Sequence, residues 1–336
     1  MTDYLILPFT FVLSFMACRG VIHFSRKLQW LDHPNSRSSH DSPTPTGGGI
    51  GIVLSFSLAV LVVFANTTPG FNHYLVLLFG LLVAAIGFVD DLFSLGIWSR
   101  ISVQCLAIAG ALAVMEVPAI QIYTVVIPPG LITVALAGFC FLWFINLFNF
   151  MDGIDGLAAA ETLFISLALF ALSRTNENPE LAYFILLLAA AVSGFMLLNL
   201  APARIFMGDI GSNFLGYLLG VIMLAGTVNG VTSIWTCLIL AGIFIIDATL
   251  TLLYRMYRGE RWFYAHRNHA YQRAADMLGS HGKVVVAATL INLVWLLPLA
   301  IAAHTIPDHG LSLTLIAWFP LGLVVWYLQR RVVAQQ

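Results

Sequence analysis

The chain has 336 residues, 60% of them hydrophobic and 9% charged, with a net charge of −1 and a mean hydropathy of +0.92. Soluble domains carry about 25% charged residues, so this composition excludes a water-soluble core and makes lipid the solvent for most of the chain. Cys18, Cys105, Cys140 and Cys237 sit in apolar runs without paired spacing, and read as small hydrophobic residues, not as disulfides or metal ligands.

A membrane span needs about 20 mostly apolar residues. Eleven segments qualify, near 4–24, 47–66, 73–89, 101–117, 131–148, 157–173, 181–200, 212–228, 231–253, 284–303 and 312–328. The expected fold is all-α: a polytopic bundle of 10–11 transmembrane helices, one membrane domain over 1–336. The first segment does not read as a cleavable signal, because Asp3 is its only early charge and Arg26 and Lys27 follow the apolar run. Lys and Arg favour cytoplasmic loops. With the N-terminus outside and the spans alternating, thirteen of the fifteen Lys and Arg residues fall inside. The inside loops are then near 25–46, 90–100, 149–156, 201–211 and 254–283.

The acids give a second, independent signal. Asp90, Asp91, Asp152, Asp155 and Asp209 all land at inner ends of spans. Carboxylates at a membrane boundary are costly to desolvate, and several helix ends presenting them to one side predict one shared site. Asp90-Asp91 ends the third span, where the two charges repel unless a cation lies close; a solvated helix end would look the same. Asn149-Phe-Met-Asp152-Gly-Ile-Asp155-Gly joins two spans and offers oxygen ligands suited to a hard cation or to a ribose and base. Phe206-Met-Gly-Asp209-Ile-Gly-Ser212 opens a helix whose N–H groups favour an anion, although simple N-capping would use the same residues. His266-Arg267-Asn268-His269 lies in the longest inside loop and fits phosphate binding or proton transfer; zinc, which needs three or four ligands, is disfavoured because no cysteine is near. Asp247 and Glu161 read as polar contacts within the bundle.

Taken together, these motifs resemble the polyprenyl-phosphate N-acetylhexosamine-1-phosphate transferases. The resemblance runs from Asp32 to His269 and rests on Asn35-x-Arg37-x-x-His40 with the following glycines, Asp90-Asp91, Asn149-x-x-Asp152-Gly-Ile-Asp155-Gly, Phe206-Met-Gly-Asp209-x-Gly-Ser212 and His266-x-x-His269. It implies transfer of a sugar-1-phosphate from a UDP-linked N-acetylhexosamine to undecaprenyl phosphate, with release of UMP, at the cytoplasmic face of a bacterial inner membrane. By resemblance, Asp209 is the magnesium ligand, with manganese able to substitute. Asp90, Asp91, His266 and His269 are catalytic. Asn149, Asp152, Asp155, Asn199, Phe206 and Arg267 hold the substrate, Phe206 stacking on uracil. The partners implied are the polyprenyl phosphate, the UDP-sugar and membrane lipid, with a homodimer compatible and no nucleic acid expected.

The first inside loop lacks the lysine of the pentapeptide-transferase branch, reading Asp41-Ser42-Pro43, and the last motif lacks a histidine cluster. The His266–Arg273 string looks most similar to the O-antigen-initiating branch. The donor expected is UDP-N-acetylglucosamine or a 6-deoxy relative such as UDP-N-acetylfucosamine or UDP-N-acetylquinovosamine. The alternative of a different class is a multi-span transporter, which would place its ionisable groups near mid-membrane in paired broken helices.

Overall fold

The computed structural model describes residues 5–28, 30–32, 43–65, 72–173, 179–260 and 267–333. A chain in lipid must satisfy its backbone internally, and this one does so almost entirely with helices. They are α1 (Ile6–Leu28), α2 (Gly49–Phe64), α3 (His73–Phe93), α4 (Ile97–Val114), α5 (Leu131–Phe150), α6 (Leu157–Ser173), α7 (Pro179–Asn199), α8 (Asp209–Val228), α9 (Ile234–Leu240), α10 (Gly242–Tyr257), α11 (Ala270–Leu278), α12 (His281–Ile291), α13 (Leu297–Thr305) and α14 (Gly310–Val333). Two antiparallel pairs complete the set: β1 (Leu31–Asp32) with β2 (Thr44–Pro45), and β3 (Ile120–Ile122) with β4 (Val125–Ile127).

Among the described residues, eight helical segments are long and apolar enough to cross a membrane, α12 and α13 counting as one through a π turn at Asn292–Leu296. The bent pair α9–α10 makes a ninth, and α2 and α6 are shorter apolar helices of 16 and 17 residues. Each of the eleven predicted segments therefore carries a helix, but several boundaries move. The expected 231–253 span is broken at Ala241 by a 76° bend. The expected 90–100 loop shrinks to residues 94–96, because Ser94 takes a left-handed conformation (φ 49°) only after α3 has passed Asp90 and Asp91. Within the expected 254–283 loop, α11 is helical, being a strongly amphipathic segment outside the spans.

Burial locates the centre of the bundle. Most of α8 (83%) is buried, against 17% of α1, so α8 is the axis around which the other helices pack. Its neighbours come close enough to touch backbone. A Cβ on Gly87 of α3 would lie 2.4 Å from the Asp209 carbonyl oxygen, and one on Gly49 of α2 would lie 2.4 Å from the Gly211 Cα. The segment before α8 is stitched to the start of α2: Phe206 N–H donates to the Pro45 oxygen, Gly48 N–H to the Phe206 oxygen and Gly49 N–H to the Met207 oxygen, each at 2.8 Å. Several polar groups inside the bundle are paired across helices. Asn146 donates to Gln104 at 2.8 Å, Gln104 to Asn213 at 3.3 Å, and Asn292 at the π turn donates to Glu161 at 2.6 Å.

The contact between α3 and α8 leads to a stability test. Gly87→Ala inserts a methyl group against unyielding backbone, and should lower stability by about 1–3 kcal/mol, read as a drop in the thermal unfolding midpoint in detergent. Gly96→Ala, which meets open space, should leave the midpoint unchanged.

Candidate active site

The last turn of α3 carries two neighbouring carboxylates that face different ways. Asp90, 9% exposed, accepts the Leu95 N–H at 2.6 Å and the Arg100 guanidinium at 2.7 Å. Asp91 reaches across to α8 and accepts the N–H groups of Asp209 (2.9 Å) and Ile210 (3.2 Å), capping a helix that has no side-chain cap of its own. The approach requires glycine at 208: its φ is +76°, and a Cβ there would lie 2.7 Å from Asp91 Oδ2.

Asp209 sits where these elements meet. Its Oδ1 accepts from Asn149 at 2.8 Å, and its Oδ2 lies 3.5 Å from the same Arg100 nitrogen that holds Asp90. Asn149 also donates to Ser212 at 2.9 Å, fixing the end of α5 to the first turn of α8. One guanidinium thus spans two carboxylates, with a third, that of Asp91, seated on the N-terminus of α8. The site is overcharged, and the neighbouring turn shows it. Burial first, then the charges of Asp209, Asp91 and Asp155, push the Asp152 carboxyl well above the ordinary carboxylate range.

The turn between α5 and α6 is held from three sides. Asp155 accepts the Ala203 N–H at 3.0 Å and faces His281 Nδ1 at 3.3 Å. Asn199 accepts the Gly156 N–H at 3.0 Å and donates to the Ile205 oxygen at 2.9 Å. Gly156 adopts φ +80°, which a side chain would resist. From the far side, the Tyr271 hydroxyl donates to the Phe150 oxygen at 2.9 Å, and the His269 ring stacks near Phe150 with centroids 6.2 Å apart. Burial beside Asp247 and Asp152 pushes the Tyr271 hydroxyl well above its ordinary value, so it stays a neutral donor.

Of the residues singled out in the sequence, Asp90, Asp91, Asn149 and Asp209 are brought into direct contact, and Asp152 lies within their electrostatic reach. Asp155 and Asn199 fasten the adjoining turn to the segment leading into α8. Phe206, half-buried, is positioned by its backbone bonds to Pro45 and Gly48. Arg267 pairs with Asp276 of α11 at 2.5 Å. His266, Asn35, Arg37 and His40 lie outside the described residues. Sequence reading did not single out Arg100, Tyr271 or His281. Arg100 was legible only as an inside charge, although it stands ten residues after Asp90, close enough for the tight α3–α4 turn to bring them together.

A multi-pass membrane bundle that gathers several carboxylates and a guanidinium in one place can position cations and charged groups. The comparisons agree. The profile of glycosyl transferase family 4 matches residues 73–227, from α3 to the last turn of α8. The chain is 28% identical over 275 residues to the "Probable undecaprenyl-phosphate N-acetylglucosaminyl 1-phosphate transferase" of Bacillus subtilis, covering 80% of this chain and 76% of that protein. It is 32% identical over 208 residues to the "Undecaprenyl-phosphate alpha-N-acetylglucosaminyl 1-phosphate transferase" of Thermotoga maritima, covering 61% of this chain and 60% of that one. It is 36% identical over 219 residues to a "Phospho-N-acetylmuramoyl-pentapeptide-transferase" of Picosynechococcus, covering 61% and 58%. The chain carries a glycosyl transferase family 4 domain and is similar over most of its length to polyprenyl-phosphate N-acetylhexosamine-1-phosphate transferases; these likenesses support a glycosyl-1-phosphate transferase of the membrane and do not favour the transporter reading.

Arg100 is the cation shared by Asp90 and Asp209, so its loss should be felt in turnover. Arg100→Ala should lower kcat by about 100-fold or more, in the range seen when one preorganised electrostatic group is removed. Arg100→Lys, which keeps the charge and loses the fork, should fall between the two in a UMP-release assay.

Proposed function

We propose that the protein transfers an N-acetylhexosamine-1-phosphate from a UDP-sugar to undecaprenyl phosphate on the cytoplasmic face of a bacterial inner membrane, at the start of a lipid-linked envelope polysaccharide such as O-antigen. The observation that carries the reading is the convergence of Asp90, Asp91, Asp209, Asn149 and Arg100 on the N-terminus of the central helix. In the reaction an oxygen of the polyprenyl phosphate attacks the phosphorus bearing the sugar. The bond from that phosphorus to the UMP oxygen breaks, and UMP leaves with the electron pair. One phosphoanhydride replaces another, so the chain's task is to bring anions together and hold them in line, more than to supply a strong base.

The carboxylates suit magnesium. Asp209 is 30% exposed at its side chain, and its Oδ2 lies 3.5 Å from Arg100. Among the described residues no three acids, histidines or cysteines form a ready-made cage. Magnesium is usually held by one or two carboxylates together with substrate phosphates, which is the donor set Asp209 with a diphosphate would provide. Bound there, the ion would neutralise charge on the diphosphate and stabilise the developing charge on the leaving phosphate. Arg100 would add a fixed positive charge, and Asp90 or Asp91 would orient the acceptor phosphate. The Asp152–Asp155 turn and Phe206 would hold the nucleoside, and His269 would stand beside the diphosphate or the sugar.

Undecaprenyl phosphate and the N-acetylglucosamine 1-phosphate group follow the printed names of the bacterial relatives. Absence of the first-loop lysine supports a donor without a peptide, UDP-N-acetylglucosamine or a 6-deoxy sugar such as UDP-N-acetylfucosamine or UDP-N-acetylquinovosamine. Purified protein given undecaprenyl phosphate, magnesium and each of these donors should release UMP with one of them. Asp209→Asn should reduce that release by about 10³-fold or more while the protein still inserts and folds; near-normal turnover in that variant, or no UMP from any donor, defeats the reading. For the sidedness, a single cysteine at Asn268 in a chain otherwise free of cysteine should react with an impermeant maleimide only from the cytoplasm.

A further inference from the structure

Asp247 is a buried carboxylate in α10, 4% exposed, to which the reaction scheme above gives no part. Isolated in the bundle it would be costly, and the structure surrounds it with donors. Ala270 N–H donates to Oδ1 and Tyr271 N–H to Oδ2, each at 2.8 Å. Thr251, one turn along α10, donates its hydroxyl to Oδ1 at 3.1 Å, and His269 Nδ1 stands 3.5 Å from the same oxygen. Ordinary helix caps come from the residue just before the helix. Here the cap of α11 comes from a neighbouring membrane helix, 23 and 24 residues upstream. It therefore ties the start of α11, and the imidazole beside it, to a rigid part of the bundle.

We infer that Asp247 is a positioning residue for transfer, acting through His269. The inference rests on the reading that His269 serves the active site. Fixing the first two N–H groups of α11 sets where the His269 backbone ends, and so where its ring lies over Phe150 of the Asn149–Gly156 turn. The Asp247 carboxylate also lies 3.5 Å from Nδ1, so its charge faces the ring whose backbone it helps to place. A group displaced by about 1 Å can cost about 100-fold in rate without losing its chemistry. Asp247 is thus expected to matter to turnover although it need not touch substrate.

A double-mutant cycle tests this. Asp247→Asn keeps the shape, but turns an amide NH2 toward one of the two backbone donors and removes the charge from Nδ1. It should lower kcat by about 10–100-fold, with KM for the UDP-sugar within about threefold. In a His269→Ala background the same change should cost less than about threefold, since groups acting as one unit are not additive. An unchanged kcat in Asp247→Asn, or the same fold loss in both backgrounds, overturns the inference while leaving the proposed reaction standing. Full turnover of His269→Ala alone removes His269 from the site, and the inference with it. If Asp247→Asn does not insert, Thr251→Val, which deletes the hydroxyl donated to Asp247, carries the same cycle at smaller amplitude. Full additivity there is equally fatal.

Discussion

The whole site depends on one contact, the carboxylate of Asp91 seated on the first N–H groups of α8. A helix that starts at the edge of a membrane has unpaired donors that lipid cannot satisfy. In this chain the partner comes from another helix, and the consequence is geometric. Once Asp91 is fixed there, α3 and α8 must approach closely enough that only glycine fits at 87 and 208. Asp209 is then the first residue of α8, and its side chain is delivered beside the acid next to the one that holds its backbone. Capping, close packing and the gathering of carboxylates are therefore one event, not three.

The same contact separates two residues that the sequence presents as a pair. Successive residues on a helix diverge by about 100° and do not face each other. Asp91 accordingly turns to α8, and Asp90 turns to Arg100 and the α3–α4 corner. Their roles differ in kind. Asp91 is an anion already satisfied by amides, whereas Asp90 shares its cation with Asp209. Incoming phosphate would compete for that cation, so the ion pairs are the part of the site best placed to rearrange when substrate arrives.

Much of this was legible beforehand. Every apolar run became a helix, because hydropathy over about 20 residues reports the requirement of the membrane directly. The acids at 90, 91, 152 and 209 were singled out from their place at the ends of apolar segments. Three things were not legible. The break at Ala241 lies in an unbroken apolar run, where hydropathy carries no information about direction. Arg100 looked like an ordinary inside charge, since its approach to Asp90 depends on a turn only three residues long. The bonds by which Asp155, singled out in its motif, and Asn199, expected at the substrate by resemblance, fasten loops were not legible either, since such bonds depend on which loops meet.

The ties between α11 and α14 bear on how the protein is made. Arg273 donates to the carbonyl oxygens of Leu328 and Gln329, and Gln329 donates to the Asn268 oxygen, so the bonds join residues 55 to 61 positions apart. The ribosome completes the His269 segment well before it reaches the helix that secures it. Until α14 has entered the membrane, residues 268–273 lack three of the hydrogen bonds that hold them. These bonds can form only late in translation, and a nascent chain stalled before residue 328 would hold the aspartates of α3 and α8 without the full set of bonds around the segment that carries His269.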